Sequence, residues 1–398
     1  MNHLVFRLGL LLALAPASAA LAQNVGIGIT LPQSRLHVAD GSVLFSSTGN
    51  VSGNALPISG AGRRLLWYAD KAAFRVGYVD GIQWNDSFIG LYSFATGYNT
   101  QANGQYSFAA GDGSQSVGAS SVAMGSGAYA SAAHAVALGQ GNQATEENAL
   151  ALGSSNIAGG LYSIAIGSGN IANGNFGITI GLQNRASASF CTAVGKNAYA
   201  AHQGAITLGD GSGSFSSDYI TSSATNQMTM RFSGGYRLIT SVRGNSPTTS
   251  AGGTITGVEL TPGAGSWTSL SDRRVKENFR PIDAEQVLQK VATLPITEWN
   301  YKAQPATQRH VGPMAQDFYQ AFRLDGIGRD TTINTVDIDG INMVAIQALY
   351  RRVRALEAEN ATLRQQAQQS RQGAEASTAT LEERLRRLEG LLGAQAQR

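Results

Sequence analysis

One glycine recurs at intervals of fourteen residues, nine times without a break: Gly97, Gly111, Gly125, Gly139, Gly153, Gly167, Gly181, Gly195 and Gly209. So strict a period means stacked copies of one small unit rather than a single globular core. Fourteen residues are too few for a helical hairpin. They suffice for two short strands and two turns.

The slots around the glycine carry the same message. Two residues before it stands Ala or Thr, as in Ala95, Ala123, Ala151, Thr179 and Thr207. Three before it most residues are large and apolar: Phe94, Phe108, Val122, Val136, Leu150, Ile164, Ile178 and Ile206, with Thr192 the exception. One before it the series matures from Thr96 and Ala110 into Met124, Leu138, Leu152, Ile166, Ile180, Val194 and Leu208. Five before it Tyr92, Tyr106, Tyr162, Phe176 and Phe190 recur. Large and small residues in alternation are the period of a strand. Five after the glycine, Ala returns in seven of the nine units. The glycine is expected to end the strand at a tight turn, with φ above zero. These slots predict a β-solenoid, a rod of about 43 Å at about 4.8 Å per coil.

A coil this small has almost no lumen. Ala and Ser fit inside it; Val, Ile and Phe do not. The large face then needs cover from another chain, because a soluble monomer does not tolerate so long an apolar stripe. Identical chains each burying one stripe imply cyclic symmetry.

Units such as Ser121-Val-Ala-Met-Gly125 and Ser163-Ile-Ala-Ile-Gly167 resemble the head repeats of trimeric autotransporter adhesins, the YadA-like heads. The resemblance spans residues 92–214. It implies a trimeric, left-handed parallel β-roll that binds host or matrix surfaces. Those adhesins end in a membrane β-barrel anchor, and no such anchor is visible in this sequence.

Charge divides the chain. Residues 1–270 hold 11 Lys/Arg and 10 Asp/Glu; residues 271–398 hold 18 and 16. The step marks a domain boundary near residue 270. Net charge is only +3, so no basic tract invites nucleic acid. His3 and Arg7, the apolar run Leu8 to Ala15 and the small-x-small site Ala20-Leu21-Ala22 read as an export signal, leaving Gln23 first and no membrane segment in the mature chain. Export places the protein at the cell surface or outside the cell, and the source is read as a Gram-negative bacterium. The single Cys191 occupies a slot filled elsewhere by Ser or Ala and reads as a packing residue.

The organisation expected is a signal peptide (1–22), an N-terminal β-cap (23–91), a β-roll of nine repeats (92–214), a β-rich neck (215–270), a small α+β domain (271–345) and a coiled coil (346–398). The last rests on Ile346, Leu349, Val353, Leu356, Asn360 and Leu363, spaced by threes and fours. Leu381, Leu385, Leu388 and Leu392 resume the spacing beyond a weak stretch that contains Gly373.

Chemistry concentrates at the charge step, in Ser271-Asp-Arg-Arg-Val-Lys276. A serine freed of its proton can attack the carbonyl of the preceding residue, here Leu270. A lysine takes that proton only when neutral, which needs burial or nearby cations; Arg273 and Arg274 would help, Asp272 would oppose. As a bare pattern, Ser-Asp before charges is also an ordinary turn or helix cap. Four ordered motifs resemble the S74 peptidase family, the intramolecular chaperones of phage tail spikes and endosialidases. They are Ser271–Asn278, Pro295–Tyr301, His310–Asp317 and Asp339–Leu349. The resemblance covers residues 271–365. It implies a domain that trimerises, helps the upstream fibre to fold, and then cuts before its serine. Carried over, Ser271 is the nucleophile, Lys276 the general base, and Leu270–Ser271 the bond cut. His310 reads as a structural histidine on a strand.

Asp337-x-Asp339-Gly340 lacks the rest of a calcium loop and reads as a turn. Glu146 and Glu147 are adjacent, so on a strand they would point to opposite faces and make a poor glycosidase pair; they read as a solvated turn. No cofactor or metal is expected. The function expected is an exported homotrimeric fibre or adhesin-like surface-binding protein whose partners are its own copies and a surface, matrix or glycan ligand. The alternative is a tail-spike-like fibre that degrades polysaccharide, or a phage-derived receptor-binding fibre.

Overall fold

The computed structural model describes residues 24–48, 53, 55–213, 218–240, 257–269, 271–273 and 276–395. The expected export signal and Leu270 lie outside them. The chain divides into two units, residues 1–234 and 235–398.

The first unit opens with a parallel strand pair, β1 (Val25–Ile27) and β2 (Leu36–Val38). An antiparallel hairpin follows, β3 (Gly62–Tyr68) and β4 (Ala73–Val79). From β4 onward the chain winds into a β-solenoid. Each coil gives one long strand, such as Leu150–Ser154, to a 12-stranded sheet, and one two-residue strand, such as Ile157–Ala158, to a 9-stranded sheet. Stacking is parallel and in strict register: Gly139 pairs with Gly153, and Gly153 with Gly167. The stack passes beyond the nine repeats at both ends. Gly77 of β4 aligns with Gly97, and Arg231 of the strand Met228–Arg231 aligns with Gly209.

The interior is made of small residues. Ala95, Ala123, Ala151 and Ala165, two before the glycine, and Ala130, Ala144 and Ala158, five after it, are fully buried. The bulky neighbours in the long strands point outward. Val122 is half-buried and Met124 is 42% exposed. The alternation therefore runs small-in and large-out, and the outer face of the long-strand sheet is an apolar ribbon.

Two slots differ from their sequence reading. The glycine has positive φ, 117° at Gly153, yet it lies inside the strand. Its second reason is proximity: a Cβ on Gly153 would strike the carbonyl oxygen of Gly167 in the next coil. The aromatic slot five before the glycine is not in the strand. Tyr162, Phe176 and Phe190 occupy turn positions with φ of 55°, 56° and 60°. The strand alternation thus covers only the three residues before the glycine. Glu146 and Glu147 lie in an exposed turn.

The second unit holds a three-stranded antiparallel sheet of Tyr236–Ile239, Gly257–Leu260 and Thr268–Ser269. Then come helix α1 (Ala284–Thr293), the hairpin Thr297–Trp299/His310–Gly312, helix α2 (Ala315–Phe322) and helix α3 (Thr335–Gln395). Asp283 caps α1 by accepting from Glu285 N and Gln286 N. Val287 of α1, Phe318 and Phe322 of α2, and Ile341 and Ala345 of α3 form the core. Asp337, Asp339 and Gly340 are the opening of α3, not a turn; Asn334 caps it by accepting from Val336 N at 3.0 Å. The helix continues unbroken through Gly373. Its seam residues Ile346, Leu356 and Leu385 are 65%, 52% and 58% exposed, an apolar edge unburied within one chain.

Candidate functional site

The residues before α1 bring the two expected catalytic side chains together. Lys276 Nζ donates to Ser271 Oγ at 2.6 Å. A backbone bond accompanies this approach, Lys276 N donating to Arg273 O at 3.3 Å. The Arg273 guanidinium lies 5.0 Å from the centre of the Phe279 ring. Arg274 and Val275 lie outside the described residues. Ser271 and Lys276 are both exposed in the single chain. The pair has the reach of a nucleophile and its base, without the burial that would favour a neutral amine.

His310 takes no part in this pair's hydrogen bonding. It sits on the strand His310–Gly312, 4.8 Å from the Trp299 ring and 5.6 Å from Tyr301, with Nε2 3.0 Å from Gln304 Oε1.

The solenoid interior holds polar residues that the sequence reading passed over. Asn142, Asn156, Asn170 and Asn184 are fully buried three residues after successive glycines. Asn156 Nδ2 donates to Asn142 Oδ1, to Leu152 O and to Gly167 O. Asn170 and Asn184 repeat the arrangement, so the amides form a ladder along the lumen. Their fourteen-residue spacing was visible in the sequence.

Arg75 fills the slot that Ala95 occupies in the next coil, and it is fully buried. It donates to Phe74 O, Ser93 O, Ser93 Oγ and Ala102 O. Burial brings its guanidinium down to a pKa of about 10. The fully buried Trp84 donates from Nε1 to Thr100 O at 2.8 Å in the neighbouring coil. At the other end Asp210 accepts from Ser212 Oγ, Ser233 N and Arg231 Nε, and the bonds from Ser212 and Ser233 hold its carboxyl well below the usual range. Cys191 is buried, and desolvation pushes its thiol up.

Two known families are similar to parts of this chain. The YadA head domain repeat matches residues 89–114, 116–142, 130–156, 144–170 and 158–184. The chaperone of endosialidase, a peptidase S74 model, matches residues 271–326 and begins at Ser271. The solenoid is similar to YadA heads, and the segment after residue 270 to endosialidase chaperones. No curated protein matches the chain. The YadA-like coils continue beyond residue 184 in unbroken register, to Gly209 and Arg231. The two matches together support an adhesin-like or tail-fibre-like protein. Among the described residues no helix is long and apolar enough to cross a membrane.

Proposed function

We propose that the chain is an exported homotrimeric fibre with a YadA-like surface-binding head, and that its C-terminal chaperone directs assembly and then severs the Leu270–Ser271 bond. The observation that carries the cleavage reading is the 2.6 Å hydrogen bond from Lys276 Nζ to Ser271 Oγ. Lys276 takes the hydroxyl proton, and Oγ attacks the Leu270 carbonyl carbon. The C–N bond breaks as the amine of Ser271 gains a proton, leaving an ester that water hydrolyses. A neutral lysine is required, and both side chains are exposed in one chain. Cover from sister copies supplies the burial, which ties cutting to assembly.

The trimer reading rests on two uncovered apolar surfaces, the solenoid ribbon and the α3 seam. Joining the C-termini first gives the strands of three solenoids a high local concentration. Cleavage then leaves a kinetically trapped fibre. Cell-surface or secreted placement follows from the export signal and the YadA-like head.

The experiment is expression of the chain followed by a denaturing gel. Wild type is expected to release a fragment of residues 271–398. Ser271→Ala is expected to stay whole, and so is Lys276→Arg, which keeps the charge but has no accessible neutral form. A wild type that remains intact after assembling as a trimer overturns the protease claim and leaves the chaperone claim standing.

A further inference from the structure

The turn that precedes each long strand carries the aromatic slot. Tyr162, Phe176 and Phe190 hold left-handed backbone there, whereas other coils place Asn148 and Gly204 at the equivalent point, residues suited to that conformation. Backbone geometry therefore does not call for aromatic side chains. The three are 50%, 45% and 57% exposed, and they lie on the turn edge, not on the apolar ribbon. Their rings are parallel to within 2° and 5°, with centres 5.0 Å apart. Packed parallel rings sit about 3.5 Å apart face to face, so each must slide past the next and leave part of its face open. The result is a strip of overlapping rings with the pitch of one coil.

Asn173, Asn175 and Ser187, polar side chains without charge, are exposed on the same turns. Asn175 Oδ1 accepts from Leu161 N at 3.1 Å. The carboxylates on this edge are Glu146 and Glu147, one coil before Tyr162. They repel anions. Aromatic faces with an amide and hydroxyl border fit a ligand with a flat C–H face and a rim of neutral hydroxyls.

We propose that the Tyr162–Phe176–Phe190 stack is a binding platform for neutral glycan chains, the sugar C–H faces lying on the rings and the hydroxyls meeting Asn173, Asn175 and Ser187. The platform rests on the reading of the solenoid as a surface-binding head. A shorter stack, Tyr92 on Tyr106 at 5.1 Å, lies on the same edge, separated from the first by Ser120, His134 and Asn148.

The test is an array of neutral, sialylated and sulfated glycans probed with the assembled full chain and with Phe176→Asn, which installs the residue type found at Asn148. Phe190→Asn, at the end of the stack, serves if Phe176→Asn does not fold. Wild type is expected to be retained on neutral glycans, and the variants to lose at least tenfold in apparent affinity with an unchanged melting curve. Retention on acidic glycans alone, or equal retention of a folded variant, overturns the proposal. So does a wild type that assembles and cuts itself yet holds no glycan, an outcome that leaves the fibre reading intact.

Discussion

Asn156 and Asn142 share one oxygen: both the backbone N–H and the side-chain Nδ2 of Asn156 donate to Asn142 Oδ1, at 2.9 and 3.0 Å. In the fully buried lumen this pairing satisfies polar groups shut off from solvent. Asn156→Ala leaves the backbone N–H of Asn170 without its acceptor, because that N–H donates to Asn156 Oδ1. A buried unsatisfied group costs about 1–3 kcal/mol, and lost bonds to Leu152 O and Gly167 O add to it. Asn156→Ala is expected to lower stability by about 3 kcal/mol. Asn142→Ala, at the end of the ladder and with no earlier amide to bond, is expected to cost less. Thermal melts followed by circular dichroism rank the two.

The glycine columns separate two physical demands. Gly153 has φ of 117° and sits against the carbonyl of Gly167. Gly127 has φ of 64° with open space around it. Gly153→Ala is therefore expected to unfold the neighbouring coils or cost more than about 3 kcal/mol. Gly127→Asn is expected to cost less than about 1 kcal/mol, since asparagine tolerates left-handed backbone. Denaturant titrations of the two variants give the comparison. Equal losses would mean that backbone angle alone, not coil-to-coil approach, selects glycine.

Much of the solenoid was legible because its period is rigid. Ala151 and Gly153 recur in fixed slots, and each slot has one environment. The aromatic slot misled because Tyr162 and Phe176 keep the large–small rhythm while occupying a turn, and strand periodicity carries no information about φ. Gly77 and Arg231 escaped notice because their connections run 20 and 22 residues to Gly97 and from Gly209, breaking the period while keeping the register. In the C-terminal unit, Asp337 and Asp339 read as a turn because Gly340 follows them. Packing of Ile341 and Ala345 against α1 and α2 draws the segment into helix instead. The approach of Lys276 to Ser271 goes with a backbone bond from Lys276 N to Arg273 O, which no spacing rule supplies.

Asp210 gives the solenoid a pH response at its C-terminal end. Its carboxyl titrates below the ordinary range because Ser212 and Ser233 bond the ionised form. A group depressed on folding contributes stability that is full above its unfolded pKa of about 3.9 and is lost as pH falls through the folded value. Melting temperature is expected to hold from neutral pH to about pH 5 and to drop below about pH 4. Asp210→Asn is expected to be less stable than wild type at pH 7, with the gap closing as the pH falls. A gap independent of pH would assign the loss to geometry rather than to charge.

Cys191 is the one thiol of the chain and lies fully buried in the slot where other coils carry Ser93, Ser107 and Ser121. Its Sγ donates to Ala188 O at 2.8 Å, three residues back, as Ser121 Oγ donates to Gly118 O at 2.7 Å. The two residue types therefore make the same bond in the same space. Cys191→Ser is expected to change stability by less than about 1 kcal/mol, whereas Cys191→Val, which adds a branched side chain to a lumen lined by alanine, is expected to cost about 1–3 kcal/mol. In the native protein the thiol is expected to resist an aromatic disulfide reagent, since burial both blocks access and disfavours the thiolate. Full reaction should appear only in denaturant. Rapid labelling of the native chain would show that the coil around Ala188 and Ala200 opens on the timescale of the assay.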